Sequence, residues 1–205
     1  MSKRDKQQFV SILIMERKMN HKNLKENVFK ALFWTVGNVF PNKGKPLGSI
    51  GNRIRCALAR GIGAKVESDV IINRHSQIQK NVILSNRASV GEFCLVQEGT
   101  VFRGRTLMAP GVHIYTENHY YDIKDHVFRG FTPINPVEIG KNVWLCRNVT
   151  ICPGSKVGNN TIVAAGAVVT GEFPDGVLLG GVPAEVKKVI DIELYQNSVE
   201  KQENK

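Results

Sequence analysis

The chain has 205 residues, enough for one domain with a short extra segment, and its 42% apolar and 22% charged residues read as a globular protein. A net charge of +10 favours anionic partners such as phosphorylated cofactors or anionic lipid, while few aromatics and no RNA-type stacking motif argue against nucleic acid. No apolar run approaches the ~20 residues of a membrane span, no secretory signal is read, and four cysteines without a CxxC pair argue against a zinc site, so a cytoplasmic protein is expected.

Residues 1–61 carry no repeat. In "NLKENVFKALFWTVGNVF", Leu24, Val28, Leu32 and Val36 fall on one helical stripe, so a helix is expected there. Asn42 to Gly51 holds Gly and Pro and reads as a turn, and Arg53 to Arg60 reads as a second short, basic helix. Arg53, Arg55 and Arg60 could meet a phosphorylated sugar or an anionic membrane surface, or only keep this end of the molecule soluble. The segment contributes nothing to any periodicity, so its loss is expected to leave the rest of the fold standing.

From Val66 a period of six sets in. Val66, Ile72, Ile78, Leu84, Val90, Val96, Phe102, Met108 and Ile114 are all large and apolar. Four residues after each of the first eight stands a small or β-branched one: Val70, Ser76, Val82, Ala88, Cys94, Thr100, Thr106 and Val112. Six matches neither the helical period of 3.6 nor the strand period of 2. It matches a parallel β-helix with three flat walls, one hexad per wall and three per coil, the large residue pointing inward and the small one easing the corner. The nine hexads make three coils.

The rhythm stops after Ile114. "YTENHYYDIKDHVFRGFTPINPVE", residues 115–138, has no sixfold column, and 25 residues separate Ile114 from Ile139, so the phase slips. This stretch is expected to be a loop extruded from one edge of the prism, and long loops on rigid scaffolds commonly carry function. It holds Tyr115, Asn118 and His119, while His113 lies in the last regular hexad with its side chain expected outward. The period resumes at Ile139, Leu145, Ile151, Val157, Val163 and Val169, with Val143, Val149, Ser155, Thr161 and Ala167 as companions, which makes two more coils. Cys146 and Cys152 are one hexad apart, so they belong to adjacent walls and read as corner packing. The organisation expected is an N-terminal helical and basic segment (1–61), a β-helix domain (62–190) with the extruded loop, and a tail (191–205) read as a short helix.

The hexads, "GVHIYTENH", "VWLCRNVTICPGSKVGNNTIVAAGAVVTGEFPDG" and "GGVPAEVKK" together resemble the left-handed parallel β-helix O-acetyltransferases, above all the maltose/galactoside and polysaccharide enzymes. The likeness runs from about Ile62 to Lys188. It implies an all-β, left-handed β-helix that assembles as a homotrimer, binds acetyl-CoA and passes the acetyl group to a hydroxyl of a saccharide acceptor, with sites between neighbouring prisms and a loop histidine as base. On these positions the base is His119. An imidazole of ordinary pKa, about 6.5, can take a hydroxyl proton at neutral pH.

His113, Tyr115, Asn118, Gln97 and Glu98 are the candidates for the acceptor, with Asn118 or a backbone N–H also available to an oxyanion. Trp144, Ala164, Ala165, Gly166, Thr170, Lys187 and Lys188 are the candidates for CoA: an indole beside the thioester, small residues along pantetheine, ammonium groups for phosphate. The chain departs from the family at Trp144-Leu145-Cys146, where Trp-Ile-Gly is usual, at Glu185, where a basic residue is usual, and in lacking a clear counterpart of the sugar-binding asparagine. These departures point away from a maltose-like acceptor and towards another one, and the expected setting is surface polysaccharide synthesis. The segment before Ile62 is then expected to serve the acceptor, with membrane contact if the acceptor is lipid-linked. Two alternatives stay open on the same prism: an acetyltransferase for serine or an antibiotic, and a metal-binding prism of the carbonic-anhydrase kind.

Overall fold

The computed structural model describes residues 24–190. The apolar "FVSILIM" stretch and the helical tail expected after Ile190 lie outside them. Three helices come first: α1 (residues 24–34), α2 (Val36–Val39) and α3 (Gly48–Ile62). The prism follows. Its first coil is β1 (Lys65–Val66), β2 (Ile71–Ile72) and β3 (Gln77–Ile78); its second β4 (Ile83–Leu84), β5 (Ala88–Val90) and β6 (Leu95–Val96); its third β7 (Val101–Phe102), β8 (Thr106–Met108) and β9 (His113–Ile114). After a hairpin, β10 (His119–Asp122) and β11 (Val127–Phe131), the fourth coil is β12 (Glu138–Ile139), β13 (Val143–Leu145) and β14 (Thr150–Ile151). The fifth is β15 (Lys156–Val157), β16 (Ile162–Val163) and β17 (Val168–Val169). A partial sixth has β18 (Glu172–Phe173) and β19 (Val177–Gly180), and β20 (Glu185–Val189) folds back on it.

Equivalent strands stack in parallel into three walls. Wall one runs β1-β4-β7-β12-β15-β18, wall two β2-β5-β8-β13-β16-β19-β20, and wall three β3-β6-β9-β14-β17. The fold is therefore the all-β parallel β-helix of hexapeptide repeats expected from the period. Both columns point inward. Ile72, Leu84, Val96, Phe102, Ile114, Ile139, Leu145, Ile151 and Val163 are wholly buried, and so are the companions from Val70 to Ala167. The polar companions are satisfied at the corners: Ser76 Oγ donates to the Asn73 carbonyl (2.8 Å) and Thr100 Oγ1 to that of Gln97 (2.8 Å).

The corners carry a signal the period does not show. The third residue after the inward one sits at positive φ in nearly every turn, as at Asp69, Asn81, Asn142, Asn148 and Asn160. Asn and Asp tolerate this left-handed backbone because their short side chains bond locally. The sixth coil also escapes the period, since Val169 is followed by the next inward residue, Phe173, after four residues rather than six.

The N-terminal segment behaves differently from expectation. Leu24, Val28, Leu32 and Val36 share a stripe, but it faces outward, with exposures of 59, 49, 38 and 40%. The packed side is Phe33, which is buried, together with Phe29 and Gly37. Two of the three arginines are engaged as well, while Arg53 is exposed. Arg55 is fully buried in α3 and donates from Nε to the Ile72 carbonyl (2.6 Å) and from its Nη atoms to those of Gly37, Phe40 and Pro41. Burial lowers its pKa. Arg60 donates from Nε and Nη2 to the Val66 carbonyl. Asn52 both donates to the Val70 carbonyl and accepts the Ile72 N–H, and Asn42 and Asn38 accept the N–H groups of Arg74 and His75. These side chains take the place of a missing coil under β1 and β2, whose backbone groups would otherwise be left unpaired at the edge. Among the described residues no helix is long and apolar enough to cross a membrane.

Candidate active site

The extruded segment leaves the corner between walls three and one, after Ile114, and re-enters wall one at Glu138. Its foot is tied to the coils on both sides. Gln97 Oε1 accepts the Thr116 N–H (2.8 Å), Asn135 N–H donates to the Thr116 carbonyl (2.7 Å), and the Asn135 carbonyl accepts the Gly154 N–H (3.0 Å). Gly154 also has to be glycine: its φ is +77°, and a Cβ there would lie 2.8 Å from Asn135 Cγ. The arm itself is ordered, contrary to the loop expected. β10 and β11 pair antiparallel, and their residues are exposed or half-buried on both faces. At the tip Asp122 accepts from the N–H groups of Lys124 and Asp125 and from Arg129 Nε (2.8 Å), and Arg129 also reaches Asp125. The Arg129 guanidinium beside Asp122 holds its carboxyl below the usual range.

His119 opens β10 and is exposed. Its ring lies 4.4 Å from that of Phe131 and 6.2 Å edge-on to Phe128. Beside it the Asn118 N–H is taken by Thr132 Oγ1 (2.9 Å), so only the Asn118 carboxamide is left to donate to a substrate. His113 points outward from wall three, as expected, with Tyr115 Oη 3.4 Å from its Nδ1 and the two rings edge-on. Gln97 and Glu98 sit one coil below and are otherwise engaged. Gln97 braces the arm, while Glu98 Oε1 accepts from Asn81 Nδ2 (2.6 Å), with Lys80 Nζ 3.9 Å from its other oxygen. None of these braces was visible in the sequence, since each depends on which residues the coils stack.

The candidates for CoA gather on wall two. Trp144 is 42% exposed on β13, in register with Leu107 below and Ile162 above. Its register neighbours on the wall are thus large apolar residues. Ala164, Ala165 and Gly166 form the corner after β16, and a Cβ on Gly166 would meet nothing within 4 Å, so this glycine serves its φ of +71°. Ala167, which follows them, is core, as a companion of the repeat should be. Lys187 and Lys188 lie on β20 at the top of the same wall, with Lys187 Nζ 3.0 Å from Glu185. Thr170 stands apart, exposed beyond β17 on wall three. Cys146 and Cys152 stand at the corners after β13 and β14, on walls two and three, and both are half-buried free thiols.

One chain therefore presents the histidines and the tryptophan on different walls. A concavity of about 490 Å³ lies on wall one between Arg103, Glu138, Lys156 and Glu172 and holds none of the candidates. Among the described residues no three His, Cys, Asp or Glu side chains come together as a metal site would require.

Residues 136–171 match the family described as bacterial transferase hexapeptide (six repeats). The galactoside O-acetyltransferase of Lactococcus lactis is 37% identical over 98 residues, which are 47% of this chain and 47% of that protein. The chain spans about half the length of the curated relatives it matches. Among solved structures, a maltose O-acetyltransferase from Clostridium difficile superposes with a TM-score of 0.54 at 21% identity, over 83% of this chain and 88% of that one. A galactoside acetyltransferase in complex with coenzyme A gives 0.53 at 20%, over 85% and 83%. The resemblance read from the hexads and motifs thus holds for repeat and fold alike: this chain is a hexapeptide-repeat β-helix protein, with the repeat of the bacterial transferases and the architecture of the maltose and galactoside O-acetyltransferases.

Proposed function

We propose that the protein transfers the acetyl group of acetyl-CoA to a hydroxyl of a saccharide, in a site completed by two copies of the chain within a homotrimer. The observation that carries this reading is the separation just described: His113 and His119 belong to wall three and the arm, Trp144, Ala164 and Lys188 to wall two. A neighbouring prism that offers wall two to the arm supplies both halves at once. Neutral His119 takes the proton of the acceptor hydroxyl as its oxygen attacks the thioester carbonyl. The Asn118 carboxamide is free to donate to the oxyanion of the tetrahedral intermediate. Collapse breaks the C–S bond, and the imidazolium returns the proton to the CoA thiolate. Trp144 and the small corner after β16 line the pantetheine arm, and Lys188 meets phosphate.

We place the reaction in the cytoplasm, where acetyl-CoA is available, and the acceptor in surface polysaccharide synthesis. A lipid-linked acceptor would bring the outward stripe of α1, from Leu24 to Leu32, towards the bilayer. The test is thiol release from acetyl-CoA against free, nucleotide-linked and lipid-linked saccharides, with light scattering for the trimer. Release with a saccharide and with no serine or antibiotic acceptor supports the reading. A fully active monomer, or no release with any saccharide, overturns it.

A further inference from the structure

A second cavity lies on wall three, below the histidines. It has a volume of about 200 Å³ and sits between α1 and the first coil, lined by Phe33, Trp34, Lys30, Gln77 and Gln79 among others. Phe33 is buried and closes its floor, while Trp34 is 50% exposed and forms an aromatic side. Gln79 uses its Oε1 to accept the Glu98 N–H (2.9 Å), and among the described residues its NH₂ has no acceptor. The ammonium of Lys30 is already held by Glu26 Oε1 at 2.6 Å, so the cavity offers little unspent charge.

Gln77 is exposed and belongs to the same outward column as His113. It is in register with Leu95, and Leu95 with His113. Two coil spacings separate Gln77 from His113, about 10 Å along the wall.

An indole face, carboxamides and an apolar floor without free charge are the chemistry of a neutral sugar ring: the ring's C–H face packs on the indole and its hydroxyls meet the amides. The volume suits one such ring and is too small for a pantetheine or adenosine group. We propose that this cavity is a second acceptor subsite, holding one residue of an extended glycan while another residue of the same glycan presents its hydroxyl at the histidine arm. The proposal rests on the acetyltransferase reading and narrows its substrate to an oligosaccharide or longer chain. Glycosyl transfer must then precede acetylation, because a free monosaccharide cannot fill both places.

The chain has two tryptophans, so Trp144→Phe leaves Trp34 as the sole indole reporter. Its emission is titrated with glucose, maltotriose, N-acetylglucosamine and chitotriose. A saturable change with at least one trisaccharide, at least about tenfold tighter than with its monosaccharide, is expected. In the otherwise wild-type enzyme, Trp34→Ala and Gln77→Ala should each raise KM for that trisaccharide about tenfold, leaving kcat and KM for acetyl-CoA unchanged. No response of Trp34 to any of these sugars, or an equal loss for mono- and trisaccharide, overturns the proposal. A Trp34 response without thiol release from any acceptor would uphold the subsite and sink the acetyltransferase reading instead.

Discussion

His119 opens the arm, with the rings of Phe128 and Phe131 of β11 beside it and no hydrogen-bond partner among the described residues. Replacing it with alanine should lower turnover by about 10² or more while CoA binding persists, since a general base typically contributes 10²–10⁴. Near-normal turnover would move the role to His113, whose ring already meets Tyr115. The thiols give an independent test of the wall assignments. Burial pushes Cys94 up to about 11 and raises Cys56 as well, so both are deficient in the reactive thiolate at pH 8. Cys146 and Cys152, raised too but half-exposed, should be alkylated first in the native protein. Bound CoA should slow labelling of Cys146, which follows Trp144 on wall two, and leave Cys152 on wall three unchanged; mass spectrometry of the labelled peptides decides it. At this scale the sequence shows size and little else. Val66 to Val169 were legible because bulk repeats, whereas Arg55 and Arg60 looked like solvated charge and proved to be packed against backbone carbonyls. Nothing in a linear pattern distinguishes an arginine facing water from one facing an unpaired edge.

The hairpin of β10 and β11 was read as an irregular loop for a related reason. Neither strand buries a face, so no alternation marks it. An exposed two-stranded hairpin is marginal in water by itself, and its order depends on local tethers. The chief one is Asp122, which accepts from two backbone N–H groups and Arg129. Because its folded pKa is lowered, that tether is complete above the ordinary carboxylate range and weakens as pH falls below about 4. Amide exchange at Lys124 and Asp125 should accelerate there beyond the intrinsic pH effect. At pH 8, Asp122→Asn should loosen the tip, speed tryptic cleavage after Lys124 and Arg129, and reduce kcat severalfold at unchanged CoA affinity, since only the arm moves. Equal cleavage rates in the two proteins would show that the tether does not order the arm. The foot of the hairpin was equally hidden. Gln97 looked like a substrate contact, but the stacking of the second coil under the third directs its carboxamide to Thr116.

The whole molecule departs most from expectation at its lower end. The segment before Ile62 was expected to be dispensable to the prism. Instead α3 packs on β1 and β2, and Asn52, Arg55 and Arg60 complete the hydrogen bonds of their open edge. Arg55→Leu strands buried carbonyls that each cost about 1–3 kcal/mol. The variant should lose about 3 kcal/mol or more in urea melts, without effect on CoA affinity in the protein that remains folded. A loss under 1 kcal/mol would refute the cap. At the upper end residues 181–184 do the same for wall three, as the Val168 N–H donates to Gly181 and the Val168 carbonyl accepts from Ala184, while β20 covers β19 antiparallel. A stack of parallel coils has no natural length, because each finished coil is a template for the next. The two ends are therefore what make this protein a particle at all. Stripped of α3 and of residues 181–190, one molecule's first coil could seat on another's last, and growth would continue head to tail. Turbidity that rises after a lag and shortens with seeding would reveal the filament that the native ends suppress.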